Sequence, residues 1–227
     1  LADVGEALDA KVASWAEPWG VWFEGLTITQ PPDPRWLFTD LVLEGQLWML
    51  AGKGGVGKSR LALALLISLA SGKPFGPFKP TRPTRCLFIC KEDDRVAIWR
   101  RSKAQFDAWR EREHWTPGEI GAAKENLLIP GVDPGETWGD ELAAKIRGQG
   151  ELGLVVIDPL GRFWAGGEHE NMNNQAGAAK AIAELEKLRQ AGGPTCSLCS
   201  IHHLNKSGGV TGSQQIVDYH RASFEAE

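Results

Sequence analysis

Residues 48–65 read WMLAGKGGVGKSRLALAL, and this stretch decides the fold class of the 227-residue chain. The octet at 52–59 satisfies G-x-x-x-x-G-K-[ST], with a strand-like apolar run before it and a helix-forming run after it. Its glycines let backbone N–H groups turn towards a phosphate, its lysine neutralises phosphate charge, and its hydroxyl can ligate Mg²⁺. Because strand, loop and helix follow in the required order, we interpret the octet as a phosphate-binding loop (P-loop) rather than a chance glycine-rich turn.

The P-loop predicts the binding of a nucleoside triphosphate with its metal. ATP is the expected nucleotide, because no Asn-Lys-x-Asp motif of the kind that reads guanine occurs in the chain. Mg²⁺ is the expected metal, with Ser59 as one of its ligands. The residues predicted to bind the nucleotide are Gly52, Lys53, Gly54, Gly55, Val56, Gly57, Lys58, Ser59 and Arg60.

Composition is that of a globular α/β protein, with 42% hydrophobic and 24% charged residues. The longest apolar stretch, at 61–70, is far shorter than the roughly 20 residues that span a bilayer, and no secretory leader pattern is present. We therefore expect a cytoplasmic protein without a membrane segment. The net charge of −4 predicts that any contact with nucleic acid is confined to a local patch.

Four cysteines fall on or beside two predicted strands, which is unlike the loop-rich framework of a disulfide-stapled secreted domain. They are Cys86, Cys90, Cys196 and Cys199. We expect them to be reduced. A metal or redox role for Cys196-x-x-Cys199 is the alternative, but a zinc site needs further ligands, for which only neighbouring histidines are at hand.

The chain divides into an arm at 1–35 and a core at 36–227. The arm combines an amphipathic helix around Ala2–Ala16 with an aromatic stretch, and the proline-rich segment 31–34 ends it. In the core, strands are predicted at 46–51, 85–91, 152–158 and 195–202, with a weaker one near 221–224; helices are predicted at 58–70, 94–112, 140–147 and 173–190. The alternation predicts a mainly parallel sheet flanked by helices. Since the chain ends soon after Arg221, we expect a core truncated at its C-terminus.

Two predicted strands end in carboxylates at the edge where open α/β sheets bind their ligands. The first is Asp158, which follows an apolar run and is predicted to be the second ligand on the Mg²⁺ side of the site. A turn that begins at Asp158-Pro159 is compatible with that role. The second is Glu92, which can orient and deprotonate the attacking water, whereas Asp93 or Asp94 suits the N-cap of the next helix better.

A third strand ends in His202 and His203. This places polar groups beside the expected γ-phosphate position, and one of the histidines can sense the phosphate. The alternative is that they are simple hydrogen-bonding residues at a strand end. We favour His203 over His202 as the sensor.

Taken together, these motifs resemble the RecA-like AAA_25 family, whose best-known members are hexameric replicative helicases of the RepA type. The resemblance runs from about Trp36 to Phe224 and rests on an ordered series of segments. They are Gly52–Ser59, Lys91-Glu92-Asp93, Asp158-Pro159-Leu160, Gly166-Gly167 with Glu170-Asn171, His202-His203 with Lys206, and Gly212-Ser213 with Asp218 and Arg221.

This resemblance implies a RecA-like P-loop NTPase fold and roles for several residues. Glu92 maps onto the catalytic base, His203 and Lys206 onto the strand-end motif, and Arg221 onto an arginine finger that reaches the neighbouring subunit's γ-phosphate. The alternative for Arg221 is an ordinary surface or salt-bridge residue. The segment 207–211 is shorter than the loop with which such ring helicases are expected to touch DNA.

The resemblance also implies a ring-forming motor that hydrolyses ATP and acts on single-stranded DNA. On this interpretation the catalytic residues are Lys58, Glu92, Asp158, His203 and Arg221, and the active sites lie between the subunits of a homo-oligomeric, hexameric ring. A recombination or annealing ATPase that forms filaments is a second hypothesis, because rings and filaments both use head-to-tail interfaces. A regulatory ATPase that does not need DNA is the third, and a metabolic kinase is the least favoured.

Overall fold

The structure is a computed structural model that describes residues 33–130, 139–164, 174–203 and, by its backbone alone, 222–226. Backbone contacts divide the chain between Arg35 and Trp36. The account below concerns the second of these units, because the predicted arm at 1–35 lies almost entirely outside the described residues and stays a prediction.

A six-stranded parallel sheet forms the centre of the described core. Its spatial order is β5-β4-β6-β7-β3-β8, and a separate antiparallel pair, β1 and β2, precedes it. The strands are β1 Trp36–Phe38, β2 Val42–Leu43, β3 Leu47–Gly52, β4 Cys86–Cys90, β5 Leu127–Leu128, β6 Leu154–Asp158, β7 Ser197–His203 and β8 Ala222–Ala226. This is the RecA-like P-loop arrangement of parallel strands with helices between them.

Helices connect the strands and cover the sheet. They are α1 Lys58–Ser71, α2 Arg95–Arg112, α3 Pro117–Asn126, α4 Asp140–Arg147, α5 Leu160–Phe163 and α6 Gln175–Ala191. None of the helices in the described ranges is both long and apolar enough to cross a membrane.

The core consists of two main apolar clusters, one on each face of the sheet. Strand β6 shows the division, since Leu154 and Val156 belong to the cluster that contains α1, whereas Val155 and Ile157 belong to the cluster that contains α4 and α6. Alternation of side chains between the two faces follows from the period-two geometry of a strand. A strand buried on both sides reads as a continuous apolar run, which is why β6 was recognisable in the sequence.

The predicted fold class is confirmed, and the predicted strands and helices of the core agree with the structure to within about two residues at each end. The weaker strand near 221–224 is confirmed as β8, at the edge of the sheet. Helix α3 was missed, although Thr116 and Glu119 form a capping box ahead of Pro117 that the sequence displays. Strands β1, β2 and β5 were also missed, because runs of two or three residues are too short to show a period.

Candidate functional site

The carboxyl ends of four neighbouring strands bring the predicted catalytic side chains to one edge of the sheet. Strand β3 ends at Gly52, β6 ends at Asp158, and β7 ends at His203, while Glu92 follows the end of β4 by two residues. Backbone pairing fixes their relative positions, because Cys90 lies opposite Asp158 and Gly52 lies opposite His203 in the ladder. Residues far apart in the sequence are thereby gathered around the start of α1.

The P-loop turns between β3 and α1 through left-handed glycines. Gly55 has a φ of 80° and Gly57 has a φ of 95°, a region that residues other than glycine rarely adopt. A Cβ atom added at Gly54, Gly55 or Gly57 would meet no other atom within 4 Å, so the space in front of the loop is open. An open cradle of backbone at a helix N-terminus is suited to an anion such as a phosphate chain.

Lys58 is buried at the first position of α1, where only 4% of the residue is exposed. Its Nζ donates to the carbonyl oxygens of Gly52 at 2.9 Å and Lys53 at 2.8 Å, and it lies 3.4 Å from Nδ1 of His203. Burial lowers the pKa of Lys58, while the negative charges of Asp158 and Glu92 act in the opposite direction. The ammonium group is thus held inside the loop by carbonyl oxygens and is surrounded by the other site residues.

Asp158 is fully buried, and its Oδ1 makes no hydrogen bond with another described residue. Burial raises the pKa of this carboxyl to about 6, with Glu92 and Asp93 adding to the effect, while the Ser59 hydroxyl and His203 oppose it. A buried carboxylate with an unpartnered oxygen carries a large desolvation cost unless a cation satisfies it. Asp158 is therefore an oxygen ligand in need of a positive charge.

The Ser59 hydroxyl and the Asp158 carboxylate fit Mg²⁺ as a donor set. They hydrogen-bond to each other, so both reach the same point beside the P-loop. Mg²⁺ prefers oxygen ligands and keeps several waters, so that one or two protein oxygens together with substrate phosphates are sufficient.

Glu92 lies beside His203 at the mouth of the site. The distance from Glu92 Oε2 to His203 Nε2 is 3.6 Å, and the two side chains are 43% and 39% exposed. His203 therefore stands between the predicted base on one side and Lys58 on the other. By contrast His202 is buried with 3% exposure, because adjacent residues of β7 point to opposite faces of the sheet.

The two acids after Glu92 have other partners, as their position before α2 predicts. Asp94 is the N-cap of α2, and its Oδ1 accepts from the Ala97 N–H at 2.8 Å. Asp93 forms an ion pair with Arg101 on the second turn of α2. Glu92 is the one acid of the three that is paired with His203.

Some predicted site residues are not gathered here or lie outside the described residues. Arg60 is exposed on the first turn of α1 and lines a groove between α1 and α2. Arg221, Lys206 and the segment 207–211 lie outside the described residues, so their roles stay predictions.

Sequence reasoning missed two neighbours of the site. Cys90 Sγ lies 4.0 Å from Asp158 Oδ2, and its burial raises the pKa of the thiol to about 11. The ammonium of Lys91 lies 4.7 Å above the centre of the Phe163 ring. The end of β4 was visible in the sequence, but its pairing with β6, which places Cys90 against Asp158, was not.

The four cysteines are free and buried. Cys196 belongs to the apolar cluster on one face of the sheet and Cys199 to the cluster on the other, so the two thiols of the Cys-x-x-Cys pair do not converge on one point. Burial raises the pKa of both. In the part of the chain that the structure describes, no group of three or more metal-ligating side chains is assembled.

Comparison with known proteins agrees with this geometry. The model of the AAA_25 family, described as an AAA domain, matches residues 14–209. Among solved structures, the ATPase domain of a replicative helicase superimposes with a TM-score of 0.60 at 14% identity, covering 92% of this chain and 81% of that one. A KaiC-like protein from the hyperthermophilic archaeon Pyrococcus horikoshii OT3 gives a TM-score of 0.51 at 15% identity, covering 83% of this chain and 75% of that one.

Proposed function

The chain belongs to the AAA_25 family of RecA-like P-loop ATPases, and we propose that it is an ATP-hydrolysing motor that forms a ring on single-stranded DNA and unwinds duplex as a replicative helicase. The structural likeness to the helicase ATPase domain supports the fold of this proposal. Hydrolysis, the metal and the DNA partner are inferred from the site.

The contact series from Lys58 through His203 to Glu92 carries the proposal. Lys58 Nζ and His203 Nδ1 are 3.4 Å apart, and His203 Nε2 and Glu92 Oε2 are 3.6 Å apart. A cation for the phosphates, a ring that contacts it and a carboxylate at the mouth thus follow one another across the sheet edge. This order is suited to attack by water on a terminal phosphate, since the carboxylate stands at the open end.

Each residue has a defined task in hydrolysis. The P-loop backbone and Lys58 bind and orient the phosphate chain, and Lys58 can exchange its carbonyl partners for phosphate oxygens without leaving the loop. Glu92 holds the attacking water and takes its proton. Ser59 and Asp158 would hold Mg²⁺, which when bound neutralises charge that develops on the phosphate oxygens.

His203 is proposed to report the state of the site. Its two ring nitrogens face Lys58 and Glu92, so a change in either partner alters its hydrogen bonding. It lies at the end of β7, immediately before the segment that contains Lys206 and 207–211. Movement of the strand end can therefore be passed to the loop that is proposed to touch DNA.

The decisive experiment is steady-state ATPase turnover with and without oligo(dT), across a salt series, for Glu92→Gln and a matched control. Asp94→Asn makes the same carboxylate-to-amide change two residues away, and asparagine can still serve as an N-cap. We expect Glu92→Gln to keep ATP binding but to lose turnover by about 10²–10⁴-fold, whereas the control retains it. Equal loss in both variants would contradict the assignment of the base.

Stimulation by oligo(dT) that falls steeply with salt is the expected sign of a DNA motor. Turnover that is high and indifferent to DNA would favour a regulatory ATPase and contradict the DNA part of the proposal. Strand displacement from a forked duplex and particle images then distinguish a ring helicase from a filament.

The in-trans role of Arg221 has its own test. Arg221→Ala and Lys58→Ala subunits should each be inactive alone, yet a mixture should regain turnover at interfaces where an intact arginine faces an intact P-loop. A mixture as inactive as its components would refute the arginine finger.

A further inference from the structure

A groove of about 510 Å³ lies between α1 and α2, apart from the P-loop cradle. Three arginines line it, namely Arg60 from α1 and Arg101 and Arg112 from α2. None of its lining residues is acidic. In a chain with a net charge of −4, this is a local concentration of positive charge that the catalytic geometry does not use.

The arginines are spread along the groove rather than clustered at one point. Arg101 and Arg112 are eleven residues apart on one helix, which corresponds to about 16 Å at 1.5 Å per residue. Arg60 is placed between them, because the Gln105 side chain donates to the Arg60 carbonyl oxygen at 3.0 Å. A row of this length matches about four or five stacked nucleotides of one strand, at roughly 3.4 Å each, and exceeds what a single phosphate needs.

The centre of the groove is small and rigid. Ala104 and Ala108 leave room on the α2 side. Beneath them Trp109 is buried and packs edge-on against Phe75 with their ring centres 5.3 Å apart. The floor therefore does not have to be ordered when a ligand enters.

The arginines are available to a ligand to different degrees. Arg60 forms no ion pair with another described residue, and the Arg112 side chain is 69% exposed and pairs only with the adjacent Glu113 at the surface. Such exposed pairs are worth little and can exchange partners. Arg101 is bonded to Asp93, which follows Glu92 in the chain, so an anion that competes for Arg101 acts close to the proposed base.

From this arrangement we propose that the α1–α2 groove binds the phosphate backbone of single-stranded nucleic acid. Planar guanidinium groups bind phosphates in a bidentate manner, and a row of them follows a backbone without reading its sequence. An acidic amphipathic peptide is the competing polyanion, but it needs an apolar anchor pocket, whereas Trp109 is buried and closed off. The inference rests on the DNA partner of the proposed function and gives it a contact region on helices rather than on 207–211.

The test measures binding of a fluorescein-labelled dT20 oligonucleotide by anisotropy over a salt series. Arg112→Glu reverses a charge at one end of the groove, and Ala108→Glu places a negative charge in its middle. Arg100→Glu is the control, because it makes the same charge reversal on α2 at an exposed residue that does not line the groove. Turnover without DNA is measured for every variant to verify that the site is intact.

We expect both groove variants to lose at least about tenfold in oligonucleotide affinity, with Arg112→Glu lowering the salt slope by about one. The control should stay within about twofold of the unmodified chain. Turnover without DNA should be unchanged in Arg112→Glu, whereas its stimulation by oligo(dT) should need correspondingly more DNA.

Three outcomes would overturn the groove assignment. If the unmodified chain binds dT20 and the groove variants bind it equally well, the groove is wrong but the DNA motor stands. If Arg100→Glu loses as much as the groove variants, the effect is a general field and not a site. If the unmodified chain ignores dT20 while labelled poly-glutamate binds and is lost in the groove variants, the partner is an acidic peptide, and the DNA part of the proposed function fails with it.

Discussion

Strand β6 passes through two regions of the molecule that follow opposite rules. Its first four residues, Leu154 to Ile157, are apolar and are divided between the two core clusters. Its last residue, Asp158, is equally buried but carries a carboxylate whose Oδ1 has no partner among the described residues. In the body of the sheet burial satisfies the side chains, whereas at its carboxyl edge burial leaves Asp158 in need of a ligand.

Lys58 and Phe88 make the same contrast between helix and strand. Both are buried, but Phe88 fills space in the cluster beside α1, whereas Lys58 holds its charge by two carbonyl oxygens. Substitution in the body should therefore lower stability, and substitution at the edge should lower activity while stability is kept or gained. The following predictions test this contrast, starting with the largest expected effect.

Lys58→Ala should reduce turnover by at least about 10³-fold, which corresponds to roughly 4 kcal/mol of transition-state stabilisation. The fold should survive, because the change removes a buried charge along with its bonds. ATP turnover and urea unfolding measured side by side check both statements. Lys124→Ala, which removes an exposed lysine from α3, is the control; turnover above a tenth of normal in Lys58→Ala would contradict the prediction.

Phe88→Ala should lower the free energy of unfolding by about 3–5 kcal/mol, since a fully buried ring leaves a cavity. Turnover per folded molecule should fall far less than in Lys58→Ala, because the side chain faces the core and not the site. Urea titration and turnover at low temperature measure the two effects. A loss of activity as large as that of Lys58→Ala, in protein that is fully folded, would remove the distinction between the regions.

Asp158→Asn should stabilise the metal-free protein at alkaline pH. The native pKa of about 6 is above the usual value of 3.8, so the native state binds the proton more tightly than the unfolded chain does. Asp158 therefore favours folding below about pH 4, and that contribution is lost as the pH rises through 6, by roughly 3 kcal/mol in total. Asparagine does not ionise and is not subject to this loss.

Urea titrations in EDTA at pH 4 and pH 8 test the asparagine variant. The variant should exceed the unmodified chain in stability at pH 8 more than it does at pH 4, and Mg²⁺ with nucleotide should narrow the gap at pH 8. A difference that is the same at both pH values would show that Asp158 is not a strained buried acid.

Lys103→Ala should change neither stability nor turnover measurably. Lys103 pairs with Asp107 one turn along α2, but both side chains are substantially exposed, and such pairs contribute little. A urea midpoint and an ATPase rate within error of the unmodified chain are expected. A clear loss of turnover alone would indicate that this face of α2 takes part in the function.

Local pattern was sufficient for much of the fold and for the centre of the site. The P-loop was readable because its glycines, lysine and hydroxyl are contiguous, and Asp158 was readable because an apolar run ends in it. Helix α3 was missed despite its capping box, and β5 was missed because two residues show no period. Glu92 was identified among three consecutive acids by its place after a strand, and its pairing with His203 leaves it a candidate base that only measurement can test.

The sequence by itself determined the residue types of the site and the order in which strands present them, because both are encoded in short contiguous segments. Only the tertiary structure decided which of those residues meet. The contact of Lys58 with His203 joins residues 145 positions apart, and it depends on β7 lying beside β3 in register. The arginine groove likewise depends on α2 packing against α1, since no sequence period relates Arg60 to Arg112. Short-range pattern specifies local conformation, whereas strand order and helix packing are set by burial of the whole core.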